Sequence, residues 1–461
     1  MTGMSEQELE RVLDEARRGL SPTEQQEQEL MKQATELMKR VEAEAKRLGA
    51  EVELGGSLAK GTWLPDDVDI DIFVKFPADL SEDELERRGI ELGLKALGET
   101  NAKLRYAEHP YVEGVVNGKR INIVPCFSVE PGKWRTIADR SPYHVRWVRE
   151  RLSERQREEV RLLKAFMKKA KVYGAEIEVE GFSGFVCELL IIHHQNFTNL
   201  LKFLASWRPG EPLSPQLAGG DKRESIWLPD PVDPARNLGR AISLRQMARV
   251  CLASRAFLSS PSTSYFLYKS PSKISPYYLL NSPLMTQLLL VIFKHKVRSE
   301  DILFGQLKKT LKHLVNQLKQ AEFSPWHAQA ISNKSDESGF IFLLERTHLS
   351  RYKLKLGPLT FDREHADDFL RQNAGEALML WIGEEGRLRA VTKRKFVSAA
   401  EVLKALITQG SGVAEGLRDE LAKGRIYEGL DIVEALDKHE WLLPQLSEFI
   451  RGDVPRLLTA E

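Results

Sequence analysis

Two aspartates separated by one residue are the first side chains in this sequence that could do chemistry. Asp69 and Asp71 lie in the segment Val68–Val74, where polar and apolar residues alternate. Alternation at period two predicts a β-strand, on which residues two apart project from the same face. Neighbouring carboxylates repel each other unless solvent, a proton or a cation compensates their charge, and carboxylate oxygens suit Mg²⁺. The pair indicates either a metal site or an exposed acidic strand.

A glycine-rich turn precedes this strand, with the sequence GSLAKGT over residues 56–62. A turn between a strand and a helix can offer backbone N–H groups and the Ser57 hydroxyl to phosphate oxygens, with Lys60 as a point charge. It is not a Walker loop, because the lysine precedes the second glycine. Alone, the segment is explained as well by a plain structural turn. Together with the two aspartates, it predicts a triphosphate held against a metal for phosphoryl transfer.

The elements that must position these motifs are mixed α and β in the first 140 residues. Ser21-Pro22-Thr23-Glu24 predicts a helix start with serine as the cap, and Gly49 predicts its end. The segment AEVELGG predicts a strand and residues 82–98 predict a helix. Residues 111–127 predict a hairpin, because Asn117-Gly118 is a strong type I′ turn signal.

The rest of the chain is predicted to be helical first and mixed again afterwards. Long helices are expected at 153–172 and 183–204, and a stretch rich in proline and serine at 259–283 indicates a boundary or an irregular connection. Beyond it, alternating segments predict strands and helices. We therefore expect three domains, at 1–141, 142–258 and 259–461.

Composition limits the classes of protein that this chain can be. It has 461 residues, of which 42% are hydrophobic and 29% charged, so it is expected to fold and not to be largely disordered. The net charge of +1 gives no global attraction to polyanions, so any such site must be local. Three cysteines without a CxxC pair give no zinc or disulfide pattern. This cysteine usage fits a reducing cytosol, so we expect a cytoplasmic location. No apolar run is long enough for a bilayer, so we expect no membrane association.

The motifs, taken in order, resemble a known family. The pattern G-S-x-x-x-G-T followed by D-x-D is similar to the nucleotidyltransferase superfamily that includes DNA polymerase β. Further segments occur in the order and at roughly the spacing of the archaeal, class I, CCA-adding enzymes over about residues 20–250. These are GGSLAKGTWLPDDVDIDIFVKF, AEHPYVEGVV, INIVPCF, SPYHVRWV, VRLLKAF, VYGAE, GFSGFVCELLI and DPVDPARN.

The resemblance implies a fold, an activity and partners. The fold would be multidomain α+β, with a polymerase β-like palm containing a mixed sheet, a helical central domain and an α/β C-terminal region that contacts tRNA. The activity would be template-independent addition of C, C and A to the 3′ end of tRNA from CTP and ATP, with Mg²⁺ as cofactor and release of pyrophosphate. Members of the family are often homodimers.

Roles carry over only where a residue matches a family motif. The resemblance implies that Asp69 and Asp71 are catalytic and bind the metal, and that Ser57 and Lys60 bind the triphosphate. It also implies nucleotide contacts for His144, Lys164 and Tyr173, and recognition of the base edge by Arg236. A guanidinium suits that task because it presents five donors in a fixed fork. Three of these also have structural explanations: His144 as an ordinary core or surface residue, Tyr173 as helix-end packing, and Arg236 as a partner of Asp230 or Asp233.

Two local basic clusters are candidates for the tRNA backbone. Between Arg151 and Lys171 there are eight basic and three acidic residues. A solvated helix face is the usual explanation of such a run, but beside the D-x-D motif we expect phosphate contacts from Arg157, Arg161 and Lys168. The second cluster lies in a predicted hairpin of the C-terminal region, where the family grips tRNA by shape and phosphate. Its members are Arg387, Arg389, Lys393, Arg394 and Lys395.

One position departs from the family. The superfamily uses a third carboxylate on a neighbouring strand, and here Asn122, in INIVPCF, occupies its place. Asparagine is close in shape but its amide is neutral and cannot act as a base. Three explanations stay open: an engineered inactive variant, a natural homologue with lost or altered activity, or another carboxylate acting instead, with Asp139 and Glu108 nearby in sequence. The alternatives in function are a terminal transferase of the poly(A) type on another RNA and a non-catalytic tRNA-binding homologue.

Overall fold

Capping residues and apolar periodicity set the helices of this chain. The computed structural model describes residues 6–98, 102–106, 110–214, 224–266 and 281–454. The chain divides into two compact units, residues 1–271 with 453–461, and residues 272–452, and each is described by itself. Within the described ranges, no helix is both long enough and apolar enough to cross a bilayer.

The first unit contains nine α-helices and five strands within its described residues, with short 3₁₀ turns between them. In chain order they are α1 Glu6–Leu20, α2 Glu24–Arg47, β1 Glu51–Leu54, α3 Gly56–Lys60, β2 Asp69–Pro77, α4 Glu82–Leu97, β3 Ala102–Tyr106, β4 Pro110–Val116, β5 Lys119–Ser128, α5 Ser141–Arg149, α6 Glu154–Lys169, α7 Gly184–His194, α8 Phe197–Ser206 and α9 Leu244–Ser259.

The five strands form one mixed sheet in the order β1-β2-β5-β4-β3. β2 and β5 run parallel, and the other neighbours are antiparallel. Apolar side chains of β2 alternate inward, with Ile70 and Ile72 fully buried in the core that the sheet shares with α2 and α4. The polar positions of the same strand are thereby left on the opposite face. A second core of helices α5–α9 fills the remainder of the unit.

The predicted elements of this unit are confirmed with two differences. The cap of α2 is Thr23 and not Ser21, because the Thr23 side chain and Gln26 form a reciprocal capping box. The helix predicted over 183–204 is two helices. Gln195 has a left-handed φ of +71° and Asn196 caps α8, so the chain turns between them. The Asn117-Gly118 turn has positive φ at both residues, as a type I′ turn requires.

The second unit has six further α-helices and seven strands within its described part. They are β6 Leu288–Lys294, α10 Glu300–Gln320, β7 Pro325–Ser332, β8 Glu337–Leu344, β9 Tyr352–Leu359, α11 Arg363–Asn373, β10 Met379–Ile382, β11 Arg387–Lys393, α12 Ala399–Gln409, α13 Arg418–Leu421, β12 Arg425–Glu428, α14 Asp431–Lys438 and α15 Leu442–Arg451. The strands form two sheets, β12-β6-β8-β7 and β10-β11-β9. Part of the stretch 259–283 falls outside the described residues.

Candidate active site

The two aspartates project from one face of the sheet, beside the parallel strand β5. The register places Arg120 next to Asp69 and Asn122 next to Asp71. Arg120 Nε donates to Asp69 Oδ1 at 3.0 Å, and Asn122 Nδ2 donates to Asp71 Oδ1 at 2.8 Å. The departure from the family pattern therefore lies directly beside the acidic pair.

The acidic pair is poised to take up positive charge. Burial raises the pKa of both carboxyl groups, and the negative charge of Asp71 raises that of Asp69 further, while Arg120 and the Asn122 amide oppose these shifts. Asn122 Oδ1 is buried and has no hydrogen-bond partner within the described part of the chain. Two carboxylates and an unpaired amide oxygen fit a hard divalent cation. No three His, Cys, Asp or Glu side chains converge on one point among the described residues.

The backbone of the glycine-rich turn packs against the acidic pair. Gly56 has a φ of +62°, and a Cβ at this position would lie 1.8 Å from Asp71 Oδ2. A residue with a side chain is therefore excluded both by conformation and by contact. This close approach fixes the Asp71 carboxylate against the first turn of α3.

We expect Gly56→Ala to displace the Asp71 carboxylate and to weaken Mn²⁺ binding about tenfold or more, because a metal ligand would move by about an ångström. Electron paramagnetic resonance titration with Mn²⁺ measures the effect. Gly49→Ala is the matched control, since Gly49 has a φ of +67° but nothing within 4 Å of its added Cβ. Both variants carry the strain of a left-handed residue, about 1–2 kcal/mol. Equal Mn²⁺ affinities would contradict the role assigned to Gly56.

Two buried lysines lie beside this turn, held by one glutamate. Glu188, on α7, is fully buried and accepts from Lys60 Nζ at 2.5 Å and from Thr62 Oγ1 at 2.5 Å. Lys164 Nζ, on α6, donates to Glu188 Oε1 at 3.3 Å and to Thr62 O at 3.0 Å. Burial raises the pKa of Glu188, but Lys60 and Lys164 outweigh it and bring that pKa below its usual value. Burial lowers the pKa of Lys164.

A second network extends from the lysines towards Arg236. The Phe185 ring lies 5.9 Å from Lys60 Nζ and stacks on His144 with 4.0 Å between ring centroids. His144 Nε2 bonds the fully buried Asp230 carboxylate at 2.9 Å. Arg236 reaches the same carboxylate at 3.4 Å and keeps 41% of its side chain exposed. The structure thus brings four predicted nucleotide contacts, Lys60, Lys164, His144 and Arg236, into one connected region, and Asp230 is the partner of Arg236 that the sequence suggested.

Tyr173 lies in the same region as Lys164, and Lys168, a tRNA contact predicted on α6, lies beside Tyr173. A Cβ added at Gly184 would lie 3.0 Å from the Tyr173 hydroxyl and 3.6 Å from Lys164 Nζ. Burial raises the pKa of Tyr173 and lowers that of Lys168 to about 8. Lys168 lies over the Tyr173 ring and pairs with Asp67.

The two arginines predicted on α6 point towards the glycine-rich turn. The Arg161 guanidinium donates to Gly61 O at 2.8 Å and to Trp63 O at 3.2 Å, so it ties α6 to this turn. Arg157 pairs with Glu154 and packs its stem against Gly61. Ser57, the remaining predicted phosphate contact, is the second residue of α3. These contacts explain how the helix and the turn are held together.

In the second unit, the predicted basic cluster lies on β11 and on the segment directly after it. Arg387 and Lys393 are exposed at the two ends of the strand. Arg389 pairs with Glu385, Arg394 pairs with Glu322, and Lys395 lies 5.2 Å from the Phe396 ring centroid. Arg394 and Lys395 line a cavity of about 410 Å³. The cluster is therefore partly neutralised by local acidic partners.

Sequence reasoning missed three residues of this site. Glu188 had a signal, because it is the one charged residue in the apolar run GFVCELLII. Asp230 was noted only as a partner of Arg236, and its bond to His144 joins residues far apart in sequence. Glu113 lies opposite Asn122 on β4, which only the strand register reveals. Asp139 is a buried loop cap, bonded to Phe127 N at 2.8 Å, and Glu108 lies outside the described residues.

Three family models match successive parts of the chain. Residues 34–144 match a nucleotidyltransferase domain, residues 158–267 match the second domain of a tRNA nucleotidyltransferase, and residues 285–429 match the C-terminal domain of a CCA-adding enzyme. The chain is similar to the CCA-adding enzyme of Methanopyrus kandleri, with 33% identity over 96% of this chain and 98% of the relative. It is 37% identical to the CCA-adding enzyme of Saccharolobus islandicus over 77% of this chain and 83% of the relative.

Proposed function

The chain belongs to the CCA-adding enzymes, a family of tRNA nucleotidyltransferases, and from this premise we propose that it adds C, C and A to the 3′ end of tRNA without a template. The single observation that carries the proposal is that the Asp69–Asp71 pair lies beside the glycine-rich turn that contains Lys60. We further propose Mg²⁺ as the divalent metal, CTP and ATP as substrates, a homodimer as the assembly and the cytoplasm as the compartment.

In the proposed reaction the tRNA 3′-hydroxyl attacks the α-phosphate of the nucleotide, a new phosphodiester bond forms and pyrophosphate leaves. A bound divalent metal supplies charge neutralisation of the triphosphate and lowers the pKa of the attacking hydroxyl. Asp69 and Asp71 would hold the metal. Lys60, Lys164 and the Ser57 hydroxyl would bind triphosphate oxygens, with Glu188 keeping the two ammonium groups together.

Selection of the base is assigned to Arg236, positioned by Asp230. The guanidinium is part-exposed and only loosely bonded at 3.4 Å, so it can address acceptors on C and on A. A base that presents donors instead would leave the fork unpaired, which is a strong source of discrimination. His144, stacked on Phe185, and Tyr173 complete the proposed nucleotide contacts.

The proposal is tested by incubating the protein with tRNA that lacks its terminal CCA, labelled CTP and ATP, and Mg²⁺. Three additions followed by a stop would support it. Continued addition of A would identify a terminal transferase of the poly(A) type. Salt-dependent tRNA binding without addition under any divalent metal would identify the non-catalytic homologue, which Asn122 makes a specific second candidate. Absence of tRNA binding would contradict the proposal.

The basic cluster of the second unit is expected to bind tRNA through phosphates. Replacing both Arg387 and Lys393 by alanine should weaken tRNA binding and reduce the slope of log affinity against log salt by about 2, roughly one for each lost contact. Filter binding at several salt concentrations measures this slope. Lys438→Ala is the control, because Lys438 is exposed in the same unit and pairs with Glu434. An unchanged slope in the double variant would show that these residues do not contact phosphate.

A further inference from the structure

Glu113 lies on the same face of the sheet as the acidic pair. It is the cross-strand partner of Asn122 in the antiparallel register of β4 and β5, and Asn122 is in turn the neighbour of Asp71. Directly opposed residues of antiparallel strands have Cβ atoms about 4.5–5.5 Å apart and share a face. Glu113, Asn122 and Asp71 therefore form one row across three strands.

The Glu113 carboxylate is paired with one arginine. Arg105 bonds it through Nε at 3.0 Å and Nη2 at 2.9 Å, and both of these bonds use the same oxygen, Oε1. The side chains of Arg105 and Glu113 are 36% and 12% exposed, so the pair is partly buried and Glu113 leaves it only where another cation takes the place of Arg105.

Asp139, a described carboxylate near Asn122 in sequence, does not serve this purpose. Asp139 accepts from the backbone N–H groups of Phe127, Arg135 and Thr136, each at 2.8 Å, and from the Thr136 hydroxyl at 2.6 Å. It is 1% exposed, so its oxygens are committed to capping a loop. Glu113 is instead bonded by an arginine side chain that is 36% exposed, and its side chain is one methylene longer than that of an aspartate.

We propose that Glu113 turns from Arg105 towards Asp69 and Asp71 when divalent metal and nucleotide bind, and there supplies the third carboxylate that Asn122 does not. This inference rests on the proposed function. Two divalent cations beside only two carboxylates would keep an excess of positive charge, and the Glu113 carboxylate reduces that excess. The neutral Asn122 amide permits this approach, because an aspartate at position 122 would repel the Glu113 carboxylate.

A double-mutant cycle tests the proposal. Wild type, Glu113→Gln, Asn122→Asp and the double variant are titrated with Mn²⁺ in the presence of CTP, by electron paramagnetic resonance, and assayed for CTP addition to tRNA. We expect Glu113→Gln to weaken Mn²⁺ binding about tenfold or more in the wild-type background. In the Asn122→Asp background the same change should alter it less than about threefold, because aspartate at 122 then supplies the carboxylate.

Two controls separate metal binding from structure. Arg105→Gln removes the partner of Glu113 and should leave Mn²⁺ affinity equal or stronger, whereas a purely structural ion pair would make Arg105→Gln and Glu113→Gln behave alike. Glu51→Gln alters an exposed carboxylate of the same sheet and should change nothing. Mn²⁺ affinity unaffected by Glu113→Gln in folded protein would overturn the proposal. Absence of nucleotide addition by Asn122→Asp, with Mn²⁺ binding still dependent on Glu113, would overturn the proposed function alone.

Discussion

Replacing Asn122 by aspartate is expected to raise kcat for CTP addition by about 10²-fold, the low end of the 10²–10⁴ that a general base typically contributes, because Glu113 is proposed to support metal binding and not to accept the proton. The amide at this position is neutral, and its Nδ2 is committed to Asp71 at 2.8 Å. An aspartate would add a negative charge beside the acidic pair and an acceptor for the proton of the tRNA 3′-hydroxyl. Rapid-quench kinetics with tRNA ending in its discriminator base measures the change.

The same variant is expected to be less stable without metal. Three clustered carboxylates repel each other, so Asn122→Asp should melt at a lower temperature than wild type in EDTA and gain more from added Mg²⁺. Asn122→Ala is the control, because it removes the amide without adding a charge and should not raise kcat. A kcat unchanged in the aspartate variant would mean that position 122 does not limit the reaction.

Replacing Glu188 by alanine is expected to destabilise the first unit by about 3–5 kcal/mol, because the loss of one partner leaves buried charges uncompensated. The side chains of Lys60 and Lys164 are 9% and 3% exposed, so few water molecules surround the two ammonium groups when the carboxylate is removed. Urea unfolding followed by circular dichroism measures the loss. Glu150→Gln, an exposed residue that pairs with Arg151, should change stability by less than about 0.5 kcal/mol.

Glu188→Gln gives the prediction a dependence on pH. The pKa of Glu188 is below its usual value of 4.5 in the folded protein. A depressed pKa stabilises the fold above the unfolded value, and this contribution is lost as pH falls through the folded value. The stability gap between wild type and Glu188→Gln should therefore be full at pH 7 and shrink below about pH 4.5. A gap that grows on acidification would show that the lysines do not hold this carboxylate ionised.

Local patterns predicted those parts of the fold that depend on neighbouring residues. The alternation around Asp69 and Asp71 predicted their strand and shared face, and Asn117-Gly118 predicted the hairpin turn. The break at Gln195 was missed because apolar residues resume at Phe197 after a short polar run, although Asn196 is a favourable cap. The parallel pairing of β2 and β5 joins residues 51 apart in sequence, so no local pattern shows it.

In the candidate site, too, local motifs were predictable from the sequence and contacts between distant residues were not. Position 122 was identified through a motif, but its cross-strand neighbour Glu113 follows only from the register of β4 and β5. The partners of Lys60 were not predictable either, because a lysine beside a glycine-rich turn indicates phosphate as readily as carboxylate. The burial of Lys60 determines which of these partners it contacts, and that burial depends on α7, which is more than 120 residues away.

This separation along the chain has a consequence for synthesis on the ribosome. The strand that carries Asn122 pairs with the D-x-D strand once about half of the first unit has emerged, whereas Glu188 meets Lys60 across 128 residues. A nascent chain of intermediate length therefore holds the acidic pair and Lys60 before Glu188 has been synthesised. The order of emergence makes metal binding by Asp69 and Asp71 possible before α7 completes the lysine cluster.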